Sequence, residues 1–489
     1  MKEKNAYPSL LQRLQVYAET DMIPMHMPGH KRNTELLGDS LPYKLDITEI
    51  EGFDNLHGAA GILKEYMNSF AAFYGTKQTF FLVNGSTCGI LAGIRAATKP
   101  RDKILVSRNC HKAVYNAVEL MDLEPIYLLP ELEEDFKLYG GIDPDLVKKR
   151  LDENPDIKLV VLTSPTYEGV VSDIRSIAAL CHASNIPLLV DEAHGAHFNY
   201  SEAFPESAVT LGADIVIQSL HKTLPSLTAT ALAHVCGELV SEQEMARQLA
   251  IFETSSPSYI LMASIEQCIR LMTERTDELF GQYMRHLAAF SEKMKALKKL
   301  RILCHGNDDK AKHKSFHDFD SGKIVISTKG TSITGNELMG MLREKHHIEL
   351  EMAYSGYALA ITSVCDTEDS FCALAEGLLE IDQTLEESAE NTGALLPGIP
   401  ERILSIQAAF QSEKAVCSLH ESIGRIAAEY AWAYPPGIPI VTPGERISEE
   451  IITAIAGLHL QGIRVNSDSG CLPGGLLVVT ETAQLSPKI

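Results

Sequence analysis

Seven short apolar runs, separated by helix-length segments between residues 79 and 235, constrain this chain more than any other feature. They are Thr79–Val83, Lys103–Val106, Ile126–Leu129, Lys158–Thr163, Pro187–Val190, Asp214–Gln218 and Ala231–Val235. Near-continuous apolarity over so short a length suits strands covered on both faces, as in a parallel sheet flanked by helices. One connecting helix is legible. Ile174, Ile177, Ala178 and Cys181 recur at helical spacing behind the capping candidates Ser172 and Asp173. The expected class is α/β: a mostly parallel sheet with flanking helices, built from repeated strand–helix–strand connections.

The remaining sequence divides around that unit, and 489 residues suggest about three folding units. Residues 1–60 read as an N-terminal arm, with an amphipathic helix (Leu10, Leu11, Leu14, Tyr17) and a turn-rich stretch from Pro24 to Gly29. The large unit is expected over 61–299, closing with largely helical sequence from Glu242 to Leu300. Gly306 to Gly322 reads as a polar surface loop, and Ile324–Ser327 restarts strand-like sequence. A smaller α+β unit is thus expected over 300–385, a linker over 386–400, and a C-terminal unit over 401–489.

Charge and composition narrow the function. With 43 Lys+Arg against 65 Asp+Glu, the net charge of −22 argues against a general nucleic-acid binder, which needs clustered cations. It argues equally against attraction to anionic lipid. The first 14 residues lack the apolar core of a signal peptide. The most apolar long stretch, Phe80 to Thr98, is interrupted by Asn84, three glycines and Arg95, so no membrane span is expected. Ten cysteines without a C-x-x-C pair read as reduced, mostly buried thiols, and the expected location is cytoplasmic. His305, His313 and His317 lack zinc-site spacing and read as loop residues, so no metal is expected. Glu131, Glu133, Glu134 and Asp135 read as a solvated turn.

Ligands of open α/β sheets bind outside the carboxyl ends of the strands. Four of the runs end there in polar or glycine-containing clusters: Asn84-Gly85-Ser86-Thr87, Thr163-Ser164-Pro165-Thr166-Tyr167, Asp191-Glu192-Ala193-His194 and Ser219-Leu220-His221-Lys222. The first has the ingredients of an anion cradle at a helix start. Read singly, each remains open to a plainer account: Ser86 and Thr87 as an N-cap, Asp191 as a turn former, Lys222 as a snorkelling surface cation. Together they supply what pyridoxal 5′-phosphate requires: donors for its phosphate, an acid for its ring nitrogen and an amine for its aldehyde.

The segments Pro24-Met25-His26-Met27-Pro28-Gly29-His30-Lys31, Asp54-Asn55-Leu56-His57, Arg108-Asn109-Cys110-His111-Lys112, Asp191-Glu192-Ala193-His194-Gly195-Ala196-His197 and Ser219-Leu220-His221-Lys222 resemble the Orn/Lys/Arg decarboxylase family. The resemblance spans nearly the whole chain, including Tyr434 to Glu445. It implies the fold of the aspartate-aminotransferase type, pyridoxal 5′-phosphate as cofactor, and decarboxylation of arginine, lysine or ornithine toward polyamines. It makes Lys222 the lysine that binds the cofactor covalently, Asp191 the partner of its ring nitrogen and His111 the histidine stacked on its ring. Ser86, Thr87, Ser219 and His221 match phosphate-side positions. His194 falls close to the cofactor, and Glu445 matches an acid facing the substrate's distal cation. Residue for residue, His194 reads equally as a structural histidine and Glu445 as a turn carboxylate. The large inducible bacterial members carry an N-terminal wing domain ahead of this region. Only a short arm is expected here, so their wing-dependent assemblies are not carried over. The expected assembly is a homodimer with shared active sites, the arm and Thr228 serving the neighbouring subunit. Transamination or lyase chemistry on the same fold, and a non-catalytic relative, stand as alternatives. Lys222 and Asp191 count against the last.

Overall fold

All seven runs become strands of one sheet. The computed structural model describes residues 9–133, 136, 138–303, 315–388, 398–434, 438–460 and 464–480. The strands are β1 (Gln78–Leu82), β2 (Lys103–Ser107), β3 (Glu124–Leu128), β4 (Ile157–Thr163), β5 (Leu188–Asp191), β6 (Ile215–Ser219) and β7 (Ala231–Val235). Across the sheet they lie in the order β1-β7-β6-β5-β4-β2-β3. Neighbours from β6 to β3 are parallel, whereas β7 runs antiparallel to both β6 and β1. The reversal follows from the connection. Residues 220–230 hold a single helical turn, Leu220–Thr223, and a parallel crossover needs about a dozen or more residues.

The helix Gly85–Ala97 lies unusually close to the sheet. A Cβ on Gly89 would meet Leu82 Cδ1 at 2.6 Å, and one on Gly93 would meet Leu189 Cδ1 at 2.8 Å. These two glycines, one helical turn apart, let the backbone descend onto β1, β5 and β6. The helix start is thereby fixed at the rim where the parallel strands end. The helix read in the sequence forms over Ile174–Ala183. Asp173 caps it by accepting from Ser176 N at 3.1 Å, while the Ser172 hydroxyl instead accepts from Ile142 N at 2.9 Å.

The arm helix, Leu10–Ala18, buries Leu10 and Leu14 against the core, with Leu11 and Tyr17 only partly covered. The helical stretch resolves into Glu242–Phe252 and Tyr259–Met294, the latter broken at Arg275. Beyond it, Arg301–Leu303, Lys323–Ser327, Tyr357–Ile361 and Met352–Ala353 form a four-stranded antiparallel sheet with helices Gly335–His346 and Glu368–Thr384. The last part holds the strand pair Lys414–Ser418 and Gly475–Val479. It also holds a three-stranded sheet (Ile438–Val441, Ala431–Tyr434, Arg464–Ser467) and the helix Glu449–Leu460.

Three readings change. In the expected surface loop, Phe316, Phe319, Asp320 and Ser321 are buried, and Asp318–Phe319 pairs with Val170–Val171. Glu133 is buried, not solvated: it lies in a two-residue strand and accepts from Phe136 N at 2.7 Å, because the chain folds back there as a hairpin with Leu138–Tyr139. Of the nine described cysteines, all free, only Cys88, Cys110, Cys181 and Cys268 are fully buried. Glu134, Asp135, His305, His313 and Cys304 lie outside the described residues. Among the described residues no helix is long and apolar enough to cross a membrane. No cluster of three or more His, Cys, Asp or Glu among them is arranged to hold a metal ion.

Candidate active site at the carboxyl end of the sheet

Register brings Thr163, Asp191 and Ile217 side by side where β4, β5 and β6 finish. Asp191 is buried. Its Oδ1 accepts from Ala193 N at 3.1 Å, and among the described residues Oδ2 takes no hydrogen bond. Its neighbour Glu192 serves the turn instead. That carboxylate accepts from Ser207 Oγ at 2.6 Å, Gln218 Nε2 at 2.7 Å and Ala208 N at 2.7 Å. Burial outweighs these donors and pushes its carboxyl up to about 7. Glu192 thus anchors the turn, leaving Asp191 as the carboxylate aimed at the rim.

Lys222 stands on the helical turn that follows β6, with Nζ 3.0 Å from His194 Nε2. Burial pulls its amine below the ordinary lysine value, against the opposing pull of Asp191 and Glu351. His111 caps the helix Lys112–Leu120, its Nδ1 accepting from Ala113 N at 3.1 Å, while much of the ring stays open. Desolvation lowers its pKa, with Asp191 pulling up and Lys222 pushing down. The charges of Asp191 and Lys222 thus act on one another and on one histidine. The three stand together at the carboxyl end of the sheet, close enough for both charges to reach the His111 ring.

His194 lies deeper. Its Nδ1 is 3.0 Å from Lys323 Nζ, so the ring bridges two lysines, and Tyr167 packs on it with ring centroids 4.6 Å apart. Burial, then the charges of Lys323 and Lys222, hold its pKa well below the usual histidine value. On the other side of the rim, Ser86 is buried and Thr87 exposed in the first turn of Gly85–Ala97, a helix whose N-terminus has no side-chain cap. Gly85 takes the left-handed φ of +72° there, donating to Ala229 O at 2.8 Å. The Ser219 hydroxyl is buried without a partner among the described residues, and His221 Nδ1 donates to Thr230 O at 2.9 Å.

Glu445 requires a correction. It is fully buried and both its oxygens are engaged by Arg108, at 2.7 and 2.9 Å, while Oε2 also accepts from Thr442 N at 2.7 Å. A carboxylate so saturated by its own chain is not an open acceptor for a substrate cation. Arg108 is buried as well, its guanidinium 4.6 Å from the Tyr127 ring centre. Asp54, in another quoted motif, also works structurally. Burial opposes its ionisation, but backbone N–H groups of Asn55, Ala60, Gly61 and Leu63 donate to it at 2.8–3.0 Å and hold its carboxyl below the usual value.

Sequence reading missed Lys323, Glu351 and the role of Tyr167. Lys323 opens the strand Lys323–Ser327 and is wholly buried, whereas the sequence reading began that strand at Ile324. A lysine contiguous with an apolar run was the available signal. Glu351 is exposed, accepts a hydrogen bond from the Tyr167 hydroxyl, and its charge acts on both lysines.

Comparison with known proteins gives the family of the chain. The family model described as the Orn/Lys/Arg decarboxylase major domain matches residues 8–332, and that of the C-terminal domain matches residues 401–461. The chain belongs to the Orn/Lys/Arg decarboxylase family. As a member it is a pyridoxal 5′-phosphate-dependent amino-acid decarboxylase of the basic-substrate class. It is 33% identical over 464 residues to an arginine decarboxylase of Bacillus subtilis, covering 92% of this chain and 94% of that protein. An arginine decarboxylase of Halalkalibacterium halodurans is 32% identical over 461 residues, covering 91% and 93%. The crystal structure of a Francisella novicida lysine decarboxylase matches with a TM-score of 0.82 over 97% of this chain and 82% of that one, at 19% identity, a likeness of fold.

The family's cofactor fits the residues present. The partnerless Ser219 hydroxyl and the uncapped start of Gly85–Ala97 offer donors to a phosphate. The open Oδ2 of buried Asp191 suits a protonated ring nitrogen, and Lys222 supplies an amine lowered toward nucleophilicity.

Proposed function

We propose that this chain removes the α-carboxylate of a basic amino acid, arginine foremost, and that the resulting amine serves polyamine formation. The observation that carries this reading is the grouping of Asp191 at the end of β5, Lys222 on the turn after β6 and His111 at a helix start, where the charges of Asp191 and Lys222 both act on His111. Arginine is favoured because the arginine decarboxylases at 32–33% identity align over more than nine-tenths of both chains. Bound here, pyridoxal 5′-phosphate supplies the electron sink that loss of CO₂ demands. Lys222 would hold it covalently, Asp191 would keep its ring nitrogen protonated, and His111 would cover the ring. Ser86, Thr87, Ser219 and His221 would hold its phosphate, and His194 would keep the Lys222 amine in place. Holoenzyme incubated separately with arginine, lysine and ornithine is the test. Agmatine with equimolar CO₂ as the fastest reaction is the expected result; a keto acid, or turnover of none of the three, overturns it. Since lysine and ornithine differ by one methylene, worth about 1–3 kcal/mol in an apolar pocket, slower side activities are expected.

Glu351 takes the place first read for Glu445. It is an exposed carboxylate whose field reaches Lys222, with Tyr167 fixing it, so it suits a guanidinium or ammonium by charge-assisted hydrogen bonding. A Glu351→Gln variant is expected to lose about 10- to 100-fold in kcat/KM for the basic substrate, equivalent to one charged hydrogen bond. Steady-state kinetics showing less than twofold change would remove Glu351 from substrate binding.

The working assembly we propose is a homodimer in the cytoplasm. The arm exposes Met22, Ile23, Met25 and Met27 at 60–86%, and Leu227 stands half exposed beside Thr228, more apolar surface than one short segment leaves to water without cause. Light scattering is expected to give twice the chain mass at working concentration, and a fully active monomer would refute shared sites. Cell fractionation checks the compartment.

A further inference from the structure

We infer that Lys323 is a positioning residue acting through His194: Lys222, His194 and Lys323 form one hydrogen-bonded row that shares a proton and delivers Lys222 as a free amine. The inference rests on the reading of Lys222 as the cofactor lysine. Its basis is the geometry of a single ring, whose Nε2 lies 3.0 Å from Lys222 Nζ and whose Nδ1 lies 3.0 Å from Lys323 Nζ.

A neutral imidazole has one N–H and one lone pair, and an ammonium can only donate. His194 is wholly desolvated between two amines, which keeps it neutral. Both short contacts are hydrogen bonds only if the lysine facing the imidazole N–H is a free amine, while the other donates to the lone pair. The row therefore carries at least one proton fewer than two independent lysines would. A double shift exchanges the roles. A proton leaves Lys222 Nζ for His194 Nε2 as the proton on Nδ1 passes to Lys323 Nζ; the imidazole ends neutral, the total charge is unchanged, and Lys222 becomes the nucleophilic amine.

The surroundings give the proton somewhere to rest. Lys323 faces Asp320, Glu351 and Glu168, whose charges favour its ammonium, while burial and Lys222 pull its amine down to about 8. Asp320 is itself fixed, accepting from Gly322 N at 2.9 Å and pairing with His197 Nε2 at 3.1 Å. Lys222 faces Asp191 and Glu351, and its charge also reaches His111. Room for the buried lysine is reserved by Gly169, at φ +105°, where a Cβ would come within 2.7 Å of Lys323 Cγ. The row also spans the two halves of the site, since His194 follows β5 of the large sheet and Lys323 opens a strand of the smaller one.

Competitive acetylation of the apoenzyme over a pH series, with the Lys222 peptide quantified by mass spectrometry against exposed Lys99, tests this without any turnover. Wild-type Lys222 is expected to acquire its free amine at lower pH than Lys99. Lys323→Met removes the cation that donates to Nδ1, so nothing holds the N–H on Nε2 and His194 can turn its lone pair to the Lys222 ammonium. The Lys222 midpoint then rises by about one unit, which means about tenfold less free amine below it. Lys323→Arg keeps a cation that donates to Nδ1 and directs the N–H at Lys222, so the midpoint stays at or below that of the wild type. An unchanged midpoint in Lys323→Met, or equal rises in both variants, overturns the proposal in favour of packing alone. If Lys323→Met does not fold, a raised midpoint in Lys323→Arg, or a wild-type midpoint equal to that of Lys99, overturns it. Borohydride reduction of the holoenzyme followed by peptide mapping asks separately whether Lys222 is the cofactor lysine. Failure there leaves the measured amine midpoints standing.

Discussion

A Lys222→Ala variant is expected to lose kcat by about 10⁴-fold or more while keeping its fold, because covalent catalysis disappears with the amine. The physical case is local. Lys222 sits half-buried on the turn Leu220–Thr223, and alanine is a good helix former there, so circular dichroism is expected to match the wild type. Asp191, Ser86 and Ser219 remain, so cofactor is still expected to bind, but borohydride is expected to leave none attached to the chain. Lys222→Arg separates charge from chemistry. It restores a cation beside Asp191 and Glu351 but no usable nucleophile, and it is expected to be as inactive as the alanine variant. Normal turnover in either, measured by CO₂ release, would refute the assignment of Lys222 and with it the chemistry proposed for the whole site.

The large sheet was legible because its strands are buried on both faces. Runs such as Leu188–Val190 and Ala231–Val235 are wholly buried, so packing demanded apolar residues at every position and left a contiguous signal. The reversal of β7 was not legible in apolarity, which is the same for either direction. Only the brevity of residues 220–230 carried it. In the site, residues at strand ends were found because polarity breaks an apolar run there, as with Asp191 and the Ser219–Lys222 turn. Lys323 escaped because it belongs to a different sheet, about a hundred residues away, and meets His194 only after the small unit folds against the loop around Gly169. Glu445 shows the opposite failure. A motif position was identified, but whether a carboxylate meets substrate or a protein cation depends on a partner 337 positions earlier in the chain.

Glu445→Ala is expected to destabilise the protein by about 3–5 kcal/mol, the cost of leaving a buried charge without its counterion. Arg108 is 4% exposed and cannot reach water when its partner goes, and Thr442 N loses its acceptor in the same step. The guanidinium itself cannot relieve the strain by losing its proton, since arginine stays charged in proteins even when buried. Replacing both partners, Arg108→Leu with Glu445→Leu, removes the stranded charge, and most of the loss is expected to return. Urea denaturation midpoints of the two single variants and the double variant read this directly. The contrast with substrate binding is sharp: an acid that met the substrate would, on removal, raise KM and leave the folded state nearly as stable. Stability unchanged in Glu445→Ala with KM raised more than tenfold would return Glu445 to the substrate and take Glu351 out of that role. Lost stability rescued by the double variant would make the Arg108–Glu445 pair the clamp that fastens the C-terminal unit to the sheet at the start of the loop that carries His111.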